Sequence, residues 1–198
     1  LSHDRVRAII ADPKDHLWIG TYGGGLNHFT IKTEQFERFL HQPSDPHSLS
    51  HNTVHALYQD SQGILWVATS DGLNQFNQQT RRFTRFKHVK ADPHSISDSA
   101  IKSIFETKDN TLWFGTFDGL SQFNRQTGSF TNYRKEHGLP NSFIYGIHED
   151  NSGFLWLSTN AGLSRFNRQS KTFKNYDVND GLQSNEFNTN AHFQSNSG

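Results

Sequence analysis

Four copies of one sequence pattern run through this chain of 198 residues. The segment LWIGTYGGGLNHF, residues 17–29, returns as LWVATSDGLNQF, LWFGTFDGLSQF and LWLSTNAGLSRF. Each copy holds one of the four tryptophans of the chain, which stand 48, 47 and 43 residues apart: Trp18, Trp66, Trp113 and Trp156. A repeat of this period is typical of architectures in which similar units pack on one another. The period therefore constrains the fold more strongly than the propensity of any single segment.

Each unit contains four short runs that are rich in β-branched and aromatic residues. In the second unit these runs, named A to D, cover residues 54–59, 64–69, 73–76 and 83–86. Turn residues separate the runs, and four strands in a unit of about 45 residues are typical of a β-propeller blade. We therefore predict an all-β fold of four four-stranded antiparallel blades, which cover residues 5–48, 53–96, 100–140 and 143–183.

The ends of the chain continue the repeat pattern. Residues 1–4, LSHD, match residues 49–52, LSHN, which lead into the second unit. Residues 184–198 fit the first, innermost strand of a further blade, and the chain contains no Met. We therefore expect an open segment of a larger propeller. Its terminal blade faces should be apolar, and the rest of the propeller or another copy should cover them.

The unit resembles the two-component regulator propeller repeat. Residues 54–77 read Val-x-x-Leu-x-x-Asp-x-x-Gly-x-Leu-Trp-x-x-Thr-x-x-Gly-Leu-x-x-Phe-Asn, and the linkers DPHSLS (45–50) and DPHSIS (92–97) are similar to the family's Asp-Pro-x-Ser-Leu-Ser linker. The resemblance covers nearly the whole chain. It implies a propeller of about seven blades in the periplasmic sensor region of a membrane-anchored histidine kinase or diguanylate cyclase. The implied function is a non-catalytic sensor segment in signal transduction.

Composition limits the partners of the chain. There are 19 Lys and Arg and 19 Asp and Glu residues, so the formal net charge is zero. No basic stripe is present to release counterions from a phosphate backbone, so we expect no binding to nucleic acid. No apolar run approaches the roughly 20 residues that cross a membrane, so we expect no membrane contact by this segment. The absence of Cys excludes disulfides and thiolate metal sites.

The spacing of three histidines resembles that of metal ligands, but their predicted positions do not support a metal site. His47, His51 and His55 are four residues apart, as ligands on a helix would be. However, the first two lie in a linker and the third lies in a predicted strand, so they need not share a face. We therefore expect neither a metal nor a cofactor.

Acidic residues six positions before three of the tryptophans resemble the Asp box of sialidase propellers. They are Asp12, Asp60 and Asp150, and Thr107 takes this position in the third unit. Because the element repeats, we predict that it holds the A–B hairpin together. Glycoside hydrolysis needs one special pair of carboxyl groups, and no such pair stands out. We therefore predict no catalytic residues.

A ligand site is predicted at the B–C turns. Strands A to D run outward in a blade, so the B–C turns and the D-to-A linkers share one end of the blade. The A–B and C–D turns repeat almost unchanged, whereas the B–C turns differ and offer aromatic, carboxylate and amide groups. Such groups suit a small polar ligand such as a carbohydrate. The candidate ligand-binding residues are Tyr22, Asp71, Phe117, Asp118, Asn160 and the linker residue His137.

Other functions remain open from the residues alone. The same end of the blades could bind a protein, as in an interaction scaffold. A propeller lyase of the streptogramin-lyase type is similar in its blade pattern and uses a histidine as base, for which His137 is the candidate. The variable turns also fit loop tips that simply tolerate change.

Overall fold

The computed structural model describes residues 1–12 and 15–187, which form four sheets. The first sheet contains β1 (Val6–Asp12), β2 (His16–Thr21), β3 (Leu26–Thr30) and β4 (Gln35–Phe39). The second contains β5 (Val54–Gln59), β6 (Leu65–Thr69), β7 (Gly72–Asn77) and β8 (Arg82–Phe86). The third contains β9 (Ile101–Glu106), β10 (Leu112–Thr116), β11 (Gly119–Asn124) and β12 (Ser129–Tyr133). The fourth contains β13 (Ile144–Glu149), β14 (Leu155–Thr159), β15 (Gly162–Asn167) and β16 (Thr172–Tyr176).

The strands of each sheet lie side by side in sequence order. The tryptophans occupy equivalent positions on the second strand: Trp66 lies opposite Gln75 and Trp156 opposite Arg165 in antiparallel register. The predicted all-β fold of four four-stranded blades is therefore confirmed. Short 3₁₀ turns at Lys135–His137 and Val178–Asp180 interrupt two linkers. The fifth inner strand that we predicted at 184–198 falls largely on residues 188–198, outside the described residues.

A left-handed residue closes every A–B turn, as the residue types three positions before the tryptophans predicted. These residues have φ angles of 59°, 77°, 62° and 80°, at Asp15, Gly63, Asn110 and Gly153 respectively. Most side chains avoid this region of backbone space, whereas Gly, Asn and Asp enter it at low cost. The identity of these four residues is thus explained by backbone geometry.

The described chain divides into two compact units, each with its own core. The first unit consists of residues 1–88 and 99–101 and holds the first two sheets. Its core joins the two sheets, because Trp18 packs edge-on against Phe76 with 5.1 Å between ring centroids. The linker residue Leu49 is fully buried in the same cluster. Burial of several large side chains of this kind is the main source of stability in the unit.

The second unit has an equivalent core. It consists of residues 89–98 and those from 102 onwards, and it holds most of the third sheet and all of the fourth. Trp113 packs edge-on against Phe166 at 5.9 Å, and Tyr133 lies 4.7 Å from the same ring. One blade thus packs its tryptophan against the third strand of the next blade in both units.

Trp156 departs from the predicted equivalence. Trp18, Trp66 and Trp113 are at most 2% exposed, whereas Trp156 is only partly buried. Its indole stacks on Tyr176 of the same sheet at 5.5 Å, and the guanidinium of Arg165 lies over it at 5.9 Å. The prediction that all four tryptophans are buried between blades is therefore wrong for Trp156, because its described ring contacts come from its own blade.

The buried aspartate before the tryptophan holds the A–B turn, as predicted. In the second sheet, Asp60 Oδ1 accepts hydrogen bonds from the amides of Gln62 and Ile64 at 3.0 and 2.8 Å. Asp60 Oδ2 accepts the indole N–H of Trp66 at 2.8 Å. The carboxylate therefore satisfies two backbone donors and ties the turn to the buried ring.

The third sheet lacks this arrangement. Thr107 replaces the aspartate, and its hydroxyl donates to the Thr111 carbonyl oxygen at 3.0 Å. The buried indole Nε1 of Trp113 has no hydrogen-bond partner within the described part of the chain. The same turn is therefore closed without a bond to the tryptophan.

This difference predicts that one substitution has unequal effects in two sheets. Trp66→Phe deprives Asp60 of an indole donor, whereas Trp113→Phe removes an N–H group that makes no hydrogen bond. Both substitutions remove a similar amount of buried ring. We expect Trp66→Phe to lower the free energy of unfolding by about 1–2 kcal/mol more than Trp113→Phe. Urea unfolding measures both, and equal losses would contradict the contribution of the hydrogen bond.

A second prediction concerns acid stability. Burial raises the pKa of Asp150, but hydrogen bonds from Trp156 Nε1 and from the amides of Phe154 and Ser152 outweigh it and hold the pKa below the ordinary value of 3.8. A carboxylate with a lowered pKa stabilises the fold above its unfolded pKa, and this contribution is lost as the pH falls through the folded value. We expect Asp150→Asn to flatten the fall in urea midpoint below about pH 4. An unchanged slope would show that these bonds do not couple to folding.

Candidate functional site

The B–C turns and the D-to-A linkers lie at one end of each blade, as predicted. A glycine amide of each turn donates to a carbonyl of the linker that follows the blade: Gly25 to Asn52 at 2.7 Å, Gly72 to Ser99 at 2.6 Å, Gly119 to Ser142 at 2.9 Å and Gly162 to Asn185 at 2.6 Å. We call this end the turn end. Because the bond recurs, each turn is fixed by the linker beside it.

Beneath the turn end lies a buried polar layer. In the second sheet, Thr69 Oγ1 donates to the Gly72 carbonyl oxygen at 2.7 Å and shares a hydrogen bond with Ser50 Oγ at 2.8 Å. Asn74 Nδ2 donates to Ser50 Oγ at 2.8 Å and to the Val67 carbonyl oxygen at 3.0 Å. These contacts explain the linker serine of the repeat: it fixes the linker to the two central strands.

Glycine before the third strand is required by a close approach of the backbone. A Cβ at Gly119 or Gly162 would overlap the carbonyl oxygen of Tyr133 or Tyr176, the last residue of the fourth strand. Both glycines also have positive φ angles, 118° and 89°. The Gly-Leu pair of the repeat is therefore structural, and the variable turn residues before it can change without affecting this contact.

A pair of side chains recurs above this layer, at the turn end of every blade. One member is the second residue of the first strand, and the other is the first residue of the B–C turn, 15 positions later. The four pairs are Arg7 with Tyr22, His55 with Ser70, Lys102 with Phe117, and Tyr145 with Asn160. The position is constant while the chemistry changes from blade to blade. We call these the turn-end pairs.

A β-bulge directs the first member of the pair. The registers of β1 with β2, β5 with β6 and β13 with β14 shift at this position, between Val6 and Ala8, Val54 and Ala56, and Ile144 and Gly146. The residue inside each shift is Arg7, His55 or Tyr145. A bulge inserts a residue without a cross-strand partner and re-aims its side chain, and bulges are frequent beside functional sites.

The first unit carries a cationic pair and a polar pair. The Cζ atom of Arg7 lies 5.0 Å from the Tyr22 ring centroid, and that of Arg5 lies 4.6 Å away. His55 is buried, and its Nε2 lies 2.9 Å from Ser70 Oγ. Tyr22 is 42% exposed. The unit therefore offers an accessible aromatic ring that two guanidinium groups flank.

The second unit carries an aromatic pair and an amide pair. Lys102 Nζ lies 4.5 Å from the Phe117 ring centroid, and Phe143 packs edge-on against this ring at 4.6 Å. The Tyr145 hydroxyl accepts a hydrogen bond from Asn160 Nδ2 at 3.2 Å. Rings and amides of this kind stack on and hydrogen-bond to polar ligands.

The two candidate carboxylates have local partners. Asp71 Oδ2 pairs with Lys87 Nζ at 2.7 Å, and Asp118 Oδ2 pairs with Arg134 Nε at 2.9 Å. Both cations are the first residue after the fourth strand, so each carboxylate ties its B–C turn to the adjacent linker. Exposed pairs of this kind add little stability. They are nevertheless engaged, which makes them weaker candidates for ligand contact than the turn-end pairs.

His137 is held by its own linker. Its Nδ1 accepts a hydrogen bond from the Arg134 amide at 2.9 Å in the 3₁₀ turn, and the same Arg134 side chain reaches Asp118. His137 and Asp118 therefore both contact Arg134: His137 contacts its backbone amide and Asp118 contacts its guanidinium group. Tyr22, Phe117 and Asn160 each belong to a separate turn-end pair.

Sequence reasoning missed the first-strand members Arg7, Lys102 and Tyr145, and considered His55 only as a metal ligand. A signal was present, because the residue after the repeated Val or Ile varies as widely as the B–C turn does. The pairing itself depends on the bulge, which the sequence does not reveal. In residues 1–12 and 15–187, no three His, Asp or Glu side chains are grouped as metal ligands.

A cleft of about 370 Å³ lies at the opposite end of the blades in the second unit. Arg168 lines it, and its guanidinium donates to Asp109 Oδ2 and Glu149 Oε1, both at 2.8 Å. Its Nε donates to the Gly153 carbonyl oxygen at 3.1 Å. Because the A–B turns here repeat and the cation is fully engaged, this cleft is a structural junction of two turns.

Comparison with known families identifies the repeat. Residues 1–23, 48–71, 95–118 and 138–161 match the two component regulator propeller family. Each match ends within a B–C turn and includes the turn residue of the turn-end pair. The chain therefore contains four two-component regulator propeller repeats. Curated protein sequences give no match.

Two solved structures similar to this chain are described as extracellular domains. One is the extracellular domain of a protein described as the hybrid two-component system BT3049 of B. thetaiotaomicron, with 27% identity and a TM-score of 0.79 over 89% of this chain. Another is that of BT4673 from the same organism, with 24% identity and a TM-score of 0.74 over 86% of this chain. This chain spans 25% of the length of either structure.

The fold is shared with an enzyme as well. Virginiamycin B lyase from Staphylococcus aureus matches 87% of this chain, and 55% of its own length is covered, with 16% identity and a TM-score of 0.64. Identity at this level shows the propeller fold alone. In the described part of the propeller segment, no helix is long and apolar enough to span a bilayer.

Substitutions in the buried polar layer and in the turn-end pairs should have unequal effects on the free energy of unfolding. Asn74 is fully buried and bonded to Ser50 and Val67, so Asn74→Ala should lower the free energy of unfolding by at least about 2 kcal/mol. Tyr22→Ala removes an exposed cation–π contact and should cost less than about 1 kcal/mol. Thermal and urea unfolding compare the two variants. A larger loss for Tyr22→Ala would assign the turn-end pairs to structure.

Proposed function

We propose that this propeller segment is a non-catalytic sensor segment of an extracytoplasmic signalling receptor, and that its turn-end pairs bind a small polar ligand such as a carbohydrate. The observation that carries the proposal is the turn-end pair itself. Four blades keep the same two positions in contact, and three of them use a bulge to do so, while the residue types differ in every blade. If these two positions served only to hold the turns, we would expect the same residue types in every blade.

The remaining polar elements support a role without catalysis. Asp60 and Asp150 accept hydrogen bonds from turn amides. The carboxylates at the turn end pair with Lys87 or Arg134, and His137 Nδ1 accepts a hydrogen bond from an amide of its own linker. A general base needs a free ring nitrogen within reach of a substrate proton and an orienting partner. The lyase alternative therefore has fold similarity in its favour but no constellation of side chains.

The relatives support a proposal about the location of the segment. The similar solved structures are extracellular domains, and their full proteins are described as two-component or one-component systems. We propose that this segment likewise lies in the periplasm, as part of a membrane-anchored receptor. The rest of the propeller, or another copy, covers its terminal blade faces. The alternative of a protein-interaction scaffold uses the same turn end with a larger partner.

The test is ligand-dependent stabilisation. A panel of neutral and acidic oligosaccharides is screened by thermal unfolding of the 198-residue chain. We expect at least one to raise the melting temperature, because a ligand that binds only the folded state stabilises it. The rise should shrink in Phe117→Ala or Tyr145→Phe, which alter two turn-end pairs.

The matched control lies at the opposite end of a blade. Gln79→Ala changes an exposed residue of the turn between β7 and β8 and should leave the ligand response intact. A panel without any stabilising sugar would contradict the proposal and favour the scaffold. A response that survives both turn-end variants but fails in Gln79→Ala would move the site to the other end.

A further inference from the structure

Two arginines converge on one tyrosine in the first blade. Arg5 precedes β1 and Arg7 is its bulged second residue, and both guanidinium carbons lie within 5.0 Å of the Tyr22 ring centroid. The ring of His3 approaches Tyr22 edge-on at 6.5 Å. Tyr22 is 42% exposed, and Arg5 is exposed as well, so solvent reaches this cluster. It is the most cationic of the four turn-end pairs.

No acidic group compensates these two charges within the described ranges 1–12 and 15–187. Neither guanidinium forms an ion pair, whereas the cations beside Asp71 and Asp118 are paired. Asp4 is the nearest acidic residue in sequence, but its side chain is 97% exposed and its contact is with His3 Nδ1 at 3.1 Å. Two like charges near one ring repel each other, and a bound anion would relieve this repulsion.

We infer that Arg5, Arg7 and Tyr22 bind the acidic group of the ligand, and that the ligand is a saccharide carrying a carboxylate or a sulfate. Guanidinium groups present planar forks of N–H donors that match these oxyanions, and such charge-assisted bonds are stronger than neutral ones. The tyrosine hydroxyl and ring edge supply hydrogen bonding and apolar contact for the sugar. This inference rests on the proposed function and specifies that the ligand is negatively charged.

Charge should separate strong from weak ligands of this cluster. The Tyr22 ring can contact an uncharged sugar, but a neutral sugar would leave Arg5 and Arg7 without an anionic partner. An acidic saccharide uses the ring and both guanidinium groups, so it should bind more tightly than a neutral one.

Calorimetric titration of the 198-residue chain tests the inference with four probes: trigalacturonic acid, a sulfated chondroitin tetrasaccharide, neutral cellotriose and sodium sulfate. We expect at least one acidic saccharide to bind at least tenfold more tightly than cellotriose and than sulfate. The affinity should fall as salt is raised, because exposed charges are screened. The double variant Arg5→Gln/Arg7→Gln should weaken this binding at least tenfold.

Arg165→Gln is the matched control. Arg165 also holds its guanidinium over an aromatic ring, that of Phe154 at 4.6 Å, but in another blade, on its third strand rather than at the turn end. This variant should bind the acidic saccharide as the unchanged chain does. Near-ultraviolet circular dichroism and urea unfolding should show both variants to be folded, since Arg5 is exposed and Arg7 is only partly buried.

The outcomes separate the two proposals. Cellotriose that binds as tightly as the acidic saccharides, with loss in Phe117→Ala, would retain the sensor surface but overturn its anionic ligand class. Sulfate that binds as tightly as any saccharide would reduce the site to an anion site and overturn it too. Binding unchanged in Arg5→Gln/Arg7→Gln would place the acidic group elsewhere. Absence of binding by every probe would overturn the inference.

Discussion

The fold depends on a tryptophan indole that packs against the third strand of the following blade. Trp18 does this in the first unit, against Phe76, and Trp113 does it in the second, against Phe166. A four-stranded sheet has two faces, and a chain of this size can bury them only by stacking sheets. The indole fills the interface, and in most blades its N–H also bonds the aspartate of the A–B turn. The tryptophan thus contributes both to the packing between two sheets and to the closure of the A–B turn.

The turn end combines a rigid frame with a variable surface. Glycine amides, linker carbonyls and the buried Ser, Thr and Asn layer fix the path of each B–C turn. Because these groups satisfy one another, the frame does not depend on the types of the two residues above them. A fixed frame with interchangeable side chains is how one repeat presents different chemistry in each blade, and preorganised positions lower the entropic cost of binding.

Two departures from the repeat are informative, one at the A–B turn of the third blade and one at the turn end of the first blade. Thr107 breaks the aspartate pattern, and a network from the fourth blade occupies the same turn: Arg168 Nη1 lies 3.4 Å from Thr107 Oγ1 and bonds Asp109, while the Lys108 amide donates to Glu149 Oε2 at 2.8 Å. Ion pairs and hydrogen bonds from the fourth blade therefore hold this A–B turn, whereas the other A–B turns use the bond between indole and aspartate. In the first blade, the departure is a pair of arginines at the turn end, where no frame contact requires them.

Sequence alone predicted the four four-stranded blades, the left-handed turn residues and the role of the aspartates before the tryptophans. These features repeat, and repetition exposes them because local backbone geometry demands the same residue types in each copy. It also located the ligand candidates Tyr22, Phe117 and Asn160 by their variation. Only the tertiary structure decided what those residues touch. The β-bulge that brings Arg7 or Tyr145 beside them, the ion pairs of Asp71 and Asp118, and the partial exposure of Trp156 are examples. All depend on contacts between strands and linkers, which no single run of residues encodes.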